Sequence, residues 1–311
     1  MDWRKASFDD AVILQETSVN NDFFANNYST VNSILYSDKF SSQISTEKGW
    51  IYEKFSSGGK TFFTFPHNVS GDNSALIEAL SYLFKENPQP NGLFSFNNIT
   101  LSEKDFLQEH FENIKIIEER GLSDYVYLSE KLASLSGKKY SRKRNHIHQF
   151  EKKYPDFKFE PLSESNLHIA GEIEEEWFSE TEKNISETED SSYLEGLKIE
   201  KKIISSALKN FSYLKEACSM SGGIVFAGGK AFSFCISSLL GQSVTNIHFE
   251  KCLQDFAKDG GYAVINNEFA KTVTTKYINR EEDLGIEGLR KAKLSYFPEI
   301  ILPKFSVEIK L

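Results

Sequence analysis

The sequence predicts an α/β protein with two domains, each a mixed, mostly antiparallel β-sheet flanked by helices. The chain has 311 residues, a length that suggests about two domains. Hydrophobic residues make up 40% of it, as in ordinary globular proteins. Strand-like and helix-like segments also recur in the same order in both halves. We expect one domain over residues 1–128 and a second over 129–311, with a helical insertion at about 160–220.

Both halves run through strands, helix, strand, helix and strand, an order typical of a mixed sheet covered by helices. Runs of β-branched and aromatic residues predict the strands. In the first half the predicted strands are 31–36, 49–54, 60–66, 92–96 and 113–118, and the helices are 73–86 and 102–111. In the second half the strands are 223–227, 230–239, 243–250, 276–280 and 300–309, and the helices are 261–274 and 286–295.

Composition narrows the class of protein. The first ten residues contain no apolar signal region, and no apolar run approaches the ~18 residues that span a bilayer. We therefore expect a cytoplasmic protein. Cys218, Cys235 and Cys252 form no C-x-x-C pair, which indicates reduced thiols rather than a disulfide frame or zinc site. The net charge of −9 argues against general nucleic-acid binding.

Two Gly-Gly-Lys sequences predict tight hairpin turns. Gly58-Gly59 and Gly228-Gly229 each precede a strand-like run, and glycine supplies the positive φ that such turns need. Neither site has the spacing of a phosphate-binding loop.

A basic segment, residues 138–154, holds seven Lys or Arg and one Glu. As a helix it forms one apolar stripe of four residues: Tyr140, Ile147, Phe150 and Tyr154. Lys143 falls at the centre of that stripe and Arg144 at its edge. Burying a lysine ammonium there costs free energy of desolvation unless the ammonium pairs with an anion or reaches water. The alternatives are a cation in a cleft and a lysine extended to solvent. His146 and His148 point two ways on a helix, which argues against a metal site.

The predicted strand 243–250 carries candidate proton acceptors. Alternation places Asn246, His248 and Glu250 on one face, and His and carboxylate side chains are the usual acceptors of a proton from an attacking amine. The alternative is a strand with one solvent-exposed face.

The predicted helix 261–274 has an apolar stripe of Tyr262, Ile265, Phe269 and Val273. Asn266 lies on the same stripe, so it is either structural or faces a ligand. Gly260 and Gly261 open the helix, where free N–H groups hold an anion or simply form a flexible helix start.

Residues 277–298 form the most distinctive segment. Arg290 and Lys293 lie three positions apart on a predicted helix and suggest a two-cation clamp for phosphate or carboxylate. The acids Glu281, Glu282 and Asp283 come before this helix, where they favour its positive dipole end.

Seven groups of residues, within about 120–305, together resemble the phosphatidylglycerol lysyltransferase C-terminal domain family. They are Asp124-Tyr125-Val126-Tyr127; Leu132 to Gly137; Lys143-Arg144-Asn145 with Phe150; His248-Phe249-Glu250-Lys251; Tyr262 with Ile265-Asn266; Asn279 through Gly285; and Gly288-Leu289-Arg290 with Lys293 and Pro298. The resemblance implies two tandem GNAT-like domains, similar to Fem-type aminoacyltransferases. In the lysyltransferases this domain moves an aminoacyl group from tRNA to a lipid headgroup.

The leading functional prediction is an acyl- or aminoacyltransferase in which an amine or hydroxyl attacks an activated acyl carbonyl. Glu250 or His248 would take the proton. The donor is an acyl-CoA or an aminoacyl-tRNA, and the acceptor is a small molecule or a lipid headgroup. The predicted donor- or substrate-binding residues are Lys143, Arg144, Asn145, Lys251, Asn266, Asn279, Arg290 and Lys293. The alternative is a ligand-binding module that keeps the fold without the chemistry.

Overall fold

The computed structural model describes residues 1–184 and 191–311. The predicted helical insertion at about 160–220 therefore lies partly outside the described residues. Contacts divide the chain into two units. Unit 1 holds Met1–Val126, Leu240–Val244 and Asn279–Leu311, and unit 2 holds Tyr127–Leu239 and Thr245–Ile278. The division at residues 128 and 129 expected from the sequence stays a prediction.

The elements alternate along the chain. Up to residue 118 they are β1 (Arg4–Lys5), α1 (Ala11–Asn20), α2 (Thr30–Leu35), α3 (Ser37–Phe40), β2 (Gln43–Glu47), β3 (Trp50–Ser57), β4 (Lys60–Phe63), β5 (His67–Asn68), α4 (Leu76–Glu86), β6 (Leu93–Ile99), α5 (Leu101–His110) and β7 (Ile114–Glu118). Then follow β8 (Asp124–Leu128), α6 (Ser129–Ser134), α7 (Ser141–Lys153), β9 (Lys158–Pro161), α8 (Leu167–Asn184), α9 (Ser191–Lys209), α10 (Phe211–Cys218), β10 (Ser221–Ala227), β11 (Lys230–Leu239) and β12 (Val244–Cys252). The last are α11 (Gln254–Lys258), α12 (Gly261–Ala270), β13 (Tyr277–Asn279), α13 (Glu287–Leu294), β14 (Ile300–Leu302) and β15 (Phe305–Lys310).

Unit 1 is built on a sheet with the strand order β1-β2-β3-β4-β6-β15-β7, in which β5 pairs with β3. The strand pairs are antiparallel except β4 and β6, which run parallel at Phe63 and Phe96. Helix α4 is amphipathic and buries an i, i+3, i+4, i+7 stripe in the core of this unit. The stripe is Leu76, Ala79, Leu80 and Leu83.

Unit 2 contains the antiparallel strand order β9-β10-β11-β12. Helix α8 contacts β11, and α12 contacts β10 and β11. With two mostly antiparallel sheets flanked by helices, the predicted α/β class is confirmed.

Both predicted hairpin turns are confirmed. Gly58 and Gly59 join β3 to β4 with φ of 57° and 76°, and Gly228 and Gly229 join β10 to β11 with φ of 58° and 75°. A type I′ turn needs positive φ at both central residues, which glycine adopts without strain.

Two strand predictions are wrong. The predicted strand 31–36 is mostly helix: residues 31–35 belong to α2, because Val31, Ile34 and Leu35 are buried at helical spacing, a pattern that the β-branched composition masked. The single strand predicted at 300–309 is two strands, β14 and β15. Pro303 lies between them and lacks the N–H that a continuous ladder needs.

No helix within residues 1–184 and 191–311 has the length and apolar character required to cross a membrane.

Candidate active site

Strand β12 carries a β-bulge at His248. Ile236 of β11 pairs with Phe249. The next residue, Ser237, pairs with Ile247, so β12 has one extra residue between these two pairs. A bulge bends the strand and re-aims its side chains, and bulges are frequent next to active sites.

Because of the bulge, the polar residues of β12 lie on two faces, which corrects the predicted single polar face. Asn246 pairs with Ser238, whereas Glu250 pairs with Cys235. Ser238 and Cys235 are three positions apart on β11, so their side chains point to opposite faces. His248 belongs with Asn246, since its Nε2 lies 2.8 Å from Ser238 Oγ and its Nδ1 lies 3.1 Å from the Asn246 amide nitrogen. The two predicted proton acceptors are therefore separated by the sheet.

Glu250 lies on the face of β12 against which α12 packs. Cys252 shares this face, and a Cβ added to Gly261 at the start of α12 would lie only 2.6 Å from Cys252 Sγ. Burial raises the pKa of Tyr262 on α12, and the nearby Cys252 and Glu250 raise it further. The half-buried Glu250 carboxylate thus lies within electrostatic range of the Tyr262 hydroxyl, which also hydrogen-bonds Trp177 and the Cys252 backbone.

Asn266 lies one helical turn after Tyr262 and is 1% exposed. Within residues 1–184 and 191–311, neither polar atom of its side-chain amide has a hydrogen-bond partner. Its neighbour Asn267 differs, because its amide donates to the carbonyl oxygens of Leu132 and Ala133 at 2.7 and 2.8 Å. A buried amide without protein partners indicates contact with water or a ligand. Tyr262, predicted on the apolar stripe, is instead 37% exposed.

The basic helix α7 lies against the glycine turn that opens α12. Gly260 has φ of 101°, and a Cβ there would lie 3.3 Å from His146 Cβ. Asp259, one residue earlier, accepts hydrogen bonds from Lys153 at 2.6 Å and from the Tyr154 hydroxyl at 2.8 Å. These contacts hold the positively charged helix beside the N–H groups at the start of α12, an arrangement that favours an anion.

The three predicted site residues of α7 have different surroundings. Lys143 is half-buried. Burial lowers the pKa of His146, and the charges of Lys143 and Arg142 lower it further. Asn145 is exposed. The Arg144 guanidinium donates to two carbonyl oxygens of the loop after α6, those of Leu135 and Gly137.

The opposite face of β12 holds a buried charged cluster that contains the predicted Lys251 and Glu174, a residue that the sequence analysis missed. Lys251 is 5% exposed; its Nζ lies 2.9 Å from Glu200 and 3.6 Å from the centre of the Trp177 ring. Glu174 is 3% exposed, and burial raises its pKa to about 7, although Lys251 partly offsets the shift. Glu174 follows Ala170 by four residues and precedes Trp177 by three. This helical spacing is the signal that could have revealed it, as it revealed Lys143.

In unit 1, the distinctive segment 277–298 is organised around Asp283, which is fully buried. Arg290 donates to both carboxylate oxygens at 2.8 and 2.9 Å, Tyr125 donates its hydroxyl at 2.6 Å, and the Gly285 N–H donates at 2.8 Å. Burial alone would raise the pKa of Asp283, but the hydrogen bonds from Arg290 and Tyr125 hold it well below its usual value. Arg290 is therefore part of a buried ion pair.

Lys293 and Asn279 are also engaged within unit 1. Lys293 Nζ donates to the carbonyl oxygens of residues 280–282 at 2.5, 3.1 and 2.5 Å. Burial lowers the pKa of Lys293 to about 8. The Asn279 amide donates to Asp124, which also forms a buried ion pair with Lys304 at 2.9 Å. These contacts favour structural roles for Asn279, Arg290 and Lys293, and donor binding by them stays a prediction.

The structure thus brings Glu250 together with Tyr262 on the α12 face and holds α7 beside the turn at Gly260. It places His248 and Lys251 on the other face. No group of three or more His, Cys, Asp or Glu side chains suited to a metal ion occurs in the described part of the chain.

Comparison with solved structures supports the fold. A conserved protein of unknown function from Bacteroides thetaiotaomicron is similar, with a TM-score of 0.88, 30% identity and 100% of both chains covered. The C-terminal domain of a putative lysylphosphatidylglycerol synthetase from Agrobacterium fabrum has a TM-score of 0.65 at 11% identity, covering 98% of this chain and 93% of that one. L-PGS from Bacillus licheniformis has a TM-score of 0.61 at 12% identity, with 95% and 89% covered.

Sequence comparison supports the family. An uncharacterized protein from Mycoplasmoides gallisepticum is 23% identical over 214 residues, which are 68% of this chain and 64% of that relative. The match therefore spans less than two thirds of that relative's length. The family model "Phosphatidylglycerol lysyltransferase, C-terminal" matches residues 22–308. The predicted resemblance is confirmed, and the chain belongs to the phosphatidylglycerol lysyltransferase C-terminal family.

Proposed function

We propose that this protein is an acyl- or aminoacyltransferase whose chemistry takes place on the α12 face of β12. The observation that carries the proposal is a half-buried carboxylate, Glu250, whose charge acts on the Tyr262 hydroxyl, one helical turn from Asn266. Neither polar atom of the Asn266 amide has a hydrogen-bond partner among residues 1–184 and 191–311. A carboxylate, a hydroxyl donor and an amide are the groups that acyl transfer to an amine needs. Family membership supports a reaction on acyl groups.

In the proposed reaction the nucleophilic nitrogen or oxygen of the acceptor attacks the acyl carbonyl carbon of the donor. The new bond forms to that carbon, and the bond from the carbon to the donor's sulfur or ribose oxygen breaks. Glu250 takes the proton from the nucleophile and returns it to the leaving group. The Asn266 amide hydrogen-bonds the bound substrate.

The anionic part of the donor would bind at the start of α12. The first N–H groups of α12 follow Gly260, and the half-buried Lys143 on the adjacent α7 adds positive charge. Both acyl-CoA and aminoacyl-tRNA carry phosphates that this arrangement suits. His248 and Lys251 lie on the opposite face, so we assign the proton transfer to Glu250 rather than to His248.

Binding of the two donor classes tests the proposal. Purified protein is titrated with acetyl-CoA, and separately with charged and uncharged tRNA, at two salt concentrations. Saturable binding of acetyl-CoA indicates an acyl-CoA transferase, whereas salt-sensitive tRNA binding without CoA binding indicates aminoacyl transfer. If neither donor binds, the proposed activity is wrong and a module for some other ligand is the better account.

A matched pair of variants separates binding from chemistry. Glu250→Gln should keep donor affinity and lose transfer, because it removes the proton acceptor while preserving side-chain size. Glu172→Gln, an exposed residue of α8, should leave both unchanged. Equal transfer by Glu250→Gln and wild type would remove Glu250 from the mechanism.

A further inference from the structure

Unit 1 contains a pocket that the proposed reaction does not use. A small pocket, partly open to solvent, lies between helices α1 and α2, strand β3 and the segment from Thr64 to His67 that follows β4. Its walls are mainly apolar and aromatic, with one carboxylate: Leu14, Thr17, Phe23, Tyr28, Ser33, Ile51, Glu53, Thr64, Phe65 and His67.

The aromatic side chains form a tight group on one wall of this pocket. The ring centres of Phe23 and Tyr28 are 4.4 Å apart, those of Phe23 and His67 are 4.4 Å apart, and those of Tyr28 and His67 are 4.5 Å apart. The Tyr28 hydroxyl donates to both carboxylate oxygens of Glu103, at 2.8 and 2.9 Å. His67 Nε2 lies 3.3 Å from the same carboxylate. Glu103 therefore fixes Tyr28 and His67 in the wall of the pocket.

Glu53 differs from Glu103 because no side chain or backbone group of the described residues engages its carboxylate. It is the second residue after the buried Ile51 on β3, so its side chain points to the same face. Throughout residues 1–184 and 191–311, the structure gives the Glu53 carboxylate no hydrogen bond or ion pair. Lys54, its neighbour, points away, with its Nζ 4.3 Å from the centre of the Trp3 ring. An ionised carboxylate in an apolar pocket costs desolvation free energy unless a positive group pairs with it.

We propose that this pocket binds the protonated amino group of a primary alkylamine, with the ammonium at Glu53 and the alkyl chain against Phe23, Tyr28 and Phe65. An ammonium supplies the missing opposite charge, and it is also attracted by the faces of aromatic rings. A divalent metal does not suit the site, because such ions take six or more oxygen ligands. An anion would be repelled by Glu53 and Glu103.

The shared chemistry is a primary ammonium on a short alkyl arm, which occurs in free amines and in the headgroups of aminolipids. The experiment uses n-butylamine hydrochloride as the soluble probe and n-butanol as its uncharged match. Vesicles of phosphatidylcholine with and without phosphatidylethanolamine form the lipid arm. Binding to the protein is followed by calorimetry and by the shift of NMR signals from Phe23 and Tyr28.

We expect butylamine to bind the wild-type protein and to perturb the pocket signals, with butanol at least tenfold weaker. Glu53→Gln should lose butylamine binding by tenfold or more and remain folded. Glu78→Gln, an exposed residue of α4 in the same unit, should bind as wild type. Binding only to vesicles that contain phosphatidylethanolamine, lost in Glu53→Gln, would also support the site and identify a lipid headgroup as its source.

The proposal is overturned if butylamine and phosphatidylethanolamine both fail to bind, if butanol binds as well as butylamine, or if Glu53→Gln binds like wild type.

The affinity of the pocket for butylamine should also rise between pH 6 and 8. Burial raises the pKa of Glu53 to about 7, so the carboxylate gains its charge in this range while the amine stays protonated. Tyr28, His67 and Glu103 face the same pocket, and Glu53→Gln isolates the contribution of Glu53. The Glu250→Gln variant should keep this binding, which distinguishes failure here from failure of the proposed reaction.

Discussion

Asp283 and Glu174 show how surroundings give two buried carboxylates opposite properties. Arg290 and Tyr125 hydrogen-bond Asp283, so its pKa is low despite burial. Glu174 has no hydrogen-bond partner within the described residues, so burial raises its pKa to about 7. The first carboxylate stabilises the fold as an anion, whereas the second favours the neutral form.

Replacing Asp283 with Asn should destabilise the protein by about 3–5 kcal/mol at pH 7, because it breaks a buried ion pair. The folded pKa of Asp283 lies below the usual 3.8. Its contribution is therefore complete above about pH 4 and is lost as the pH falls through the depressed folded value. The difference in unfolding free energy between Asp283→Asn and wild type should shrink below pH 4. Asp255→Asn, which removes an exposed pair with Lys258, should cost less than about 1 kcal/mol, and an equal loss in both variants would contradict this account.

Replacing Glu174 with Gln should stabilise the protein at high pH. The folded pKa of about 7 lies above the ordinary value of 4.5, so stability from the neutral acid is full below about pH 4.5 and falls as the pH rises to about 7. Thermal unfolding at pH 8 should show Glu174→Gln more stable than wild type by roughly 3 kcal/mol. The gain should vanish near pH 4, and Glu172→Gln on the exposed side of α8 should show no gain at either pH. A stabilisation that does not depend on pH would exclude ionisation of Glu174 as its cause.

At this scale the sequence identified residue types better than their roles. Arg290 and Lys293 were predicted as a clamp for a ligand because cations three positions apart share a helix face. The structure shows their acceptors in Asp283 and in backbone carbonyls, which helical spacing alone does not reveal. Asn266 was correctly identified as a buried polar residue in need of a partner.

At the scale of elements, the bulge in β12 determines which residues share a face of the sheet and can form the site. A strand pattern read with period two placed His248 and Glu250 together, but one extra residue at the bulge separates them. Pairing register depends on the neighbouring strand, so it was not available from the β12 sequence alone. The apolar stripe of α7 was predictable, because Tyr140, Ile147 and Phe150 are all buried at the spacing that a helix dictates.

Donor binding should depend on one lysine of α7 and not on another. Lys143→Ala should weaken binding of the phosphate-bearing donor by about tenfold or more, the effect expected from loss of one charged hydrogen bond. Lys152→Ala removes the same charge from an exposed position in the last turn of α7 and should change affinity little. Titration calorimetry on both variants checks this, and equal weakening would indicate a non-specific charge effect.

The start of α12 should tolerate no side chain at Gly261. A Cβ there would lie 2.6 Å from Cys252 Sγ and 2.9 Å from the Phe256 carbonyl oxygen, so Gly261→Ala forces a backbone shift. We expect a loss of about 1–3 kcal/mol, as for overpacked cores. Gly196→Ala in α9 meets no atom within 4 Å among the described residues, its own helix backbone aside, and should instead stabilise by about 0.4–1 kcal/mol. Chemical denaturation measures both, and a neutral Gly261→Ala would show that α12 is not held against β12 as described.

At the scale of the whole molecule, the sequence predicted the α/β class and the family. The periodicity of apolar residues and the order of the motifs can be recognised without knowing which residues are in contact. The sequence did not predict that residues 279–311 belong to the same unit as residues 1–126, since such long-range association leaves no local pattern. Many of the motifs that revealed the family, including Asp124, Tyr125, Asp283 and Arg290, form the polar network of unit 1. These motif residues are therefore stronger evidence for the fold than for the reaction.

The transfer of a labelled acyl group tests the central claim most directly. Purified protein is incubated with ¹⁴C-acetyl-CoA or ¹⁴C-aminoacyl-tRNA and a cell extract that supplies amine, hydroxyl and lipid acceptors, and label in products other than the donor is measured. The account predicts label transfer by wild type and by Glu172→Gln, and a loss of at least about a hundredfold in Glu250→Gln, the usual effect of removing a general base. Absence of transfer from both donors by wild type, or undiminished transfer by Glu250→Gln, would contradict it.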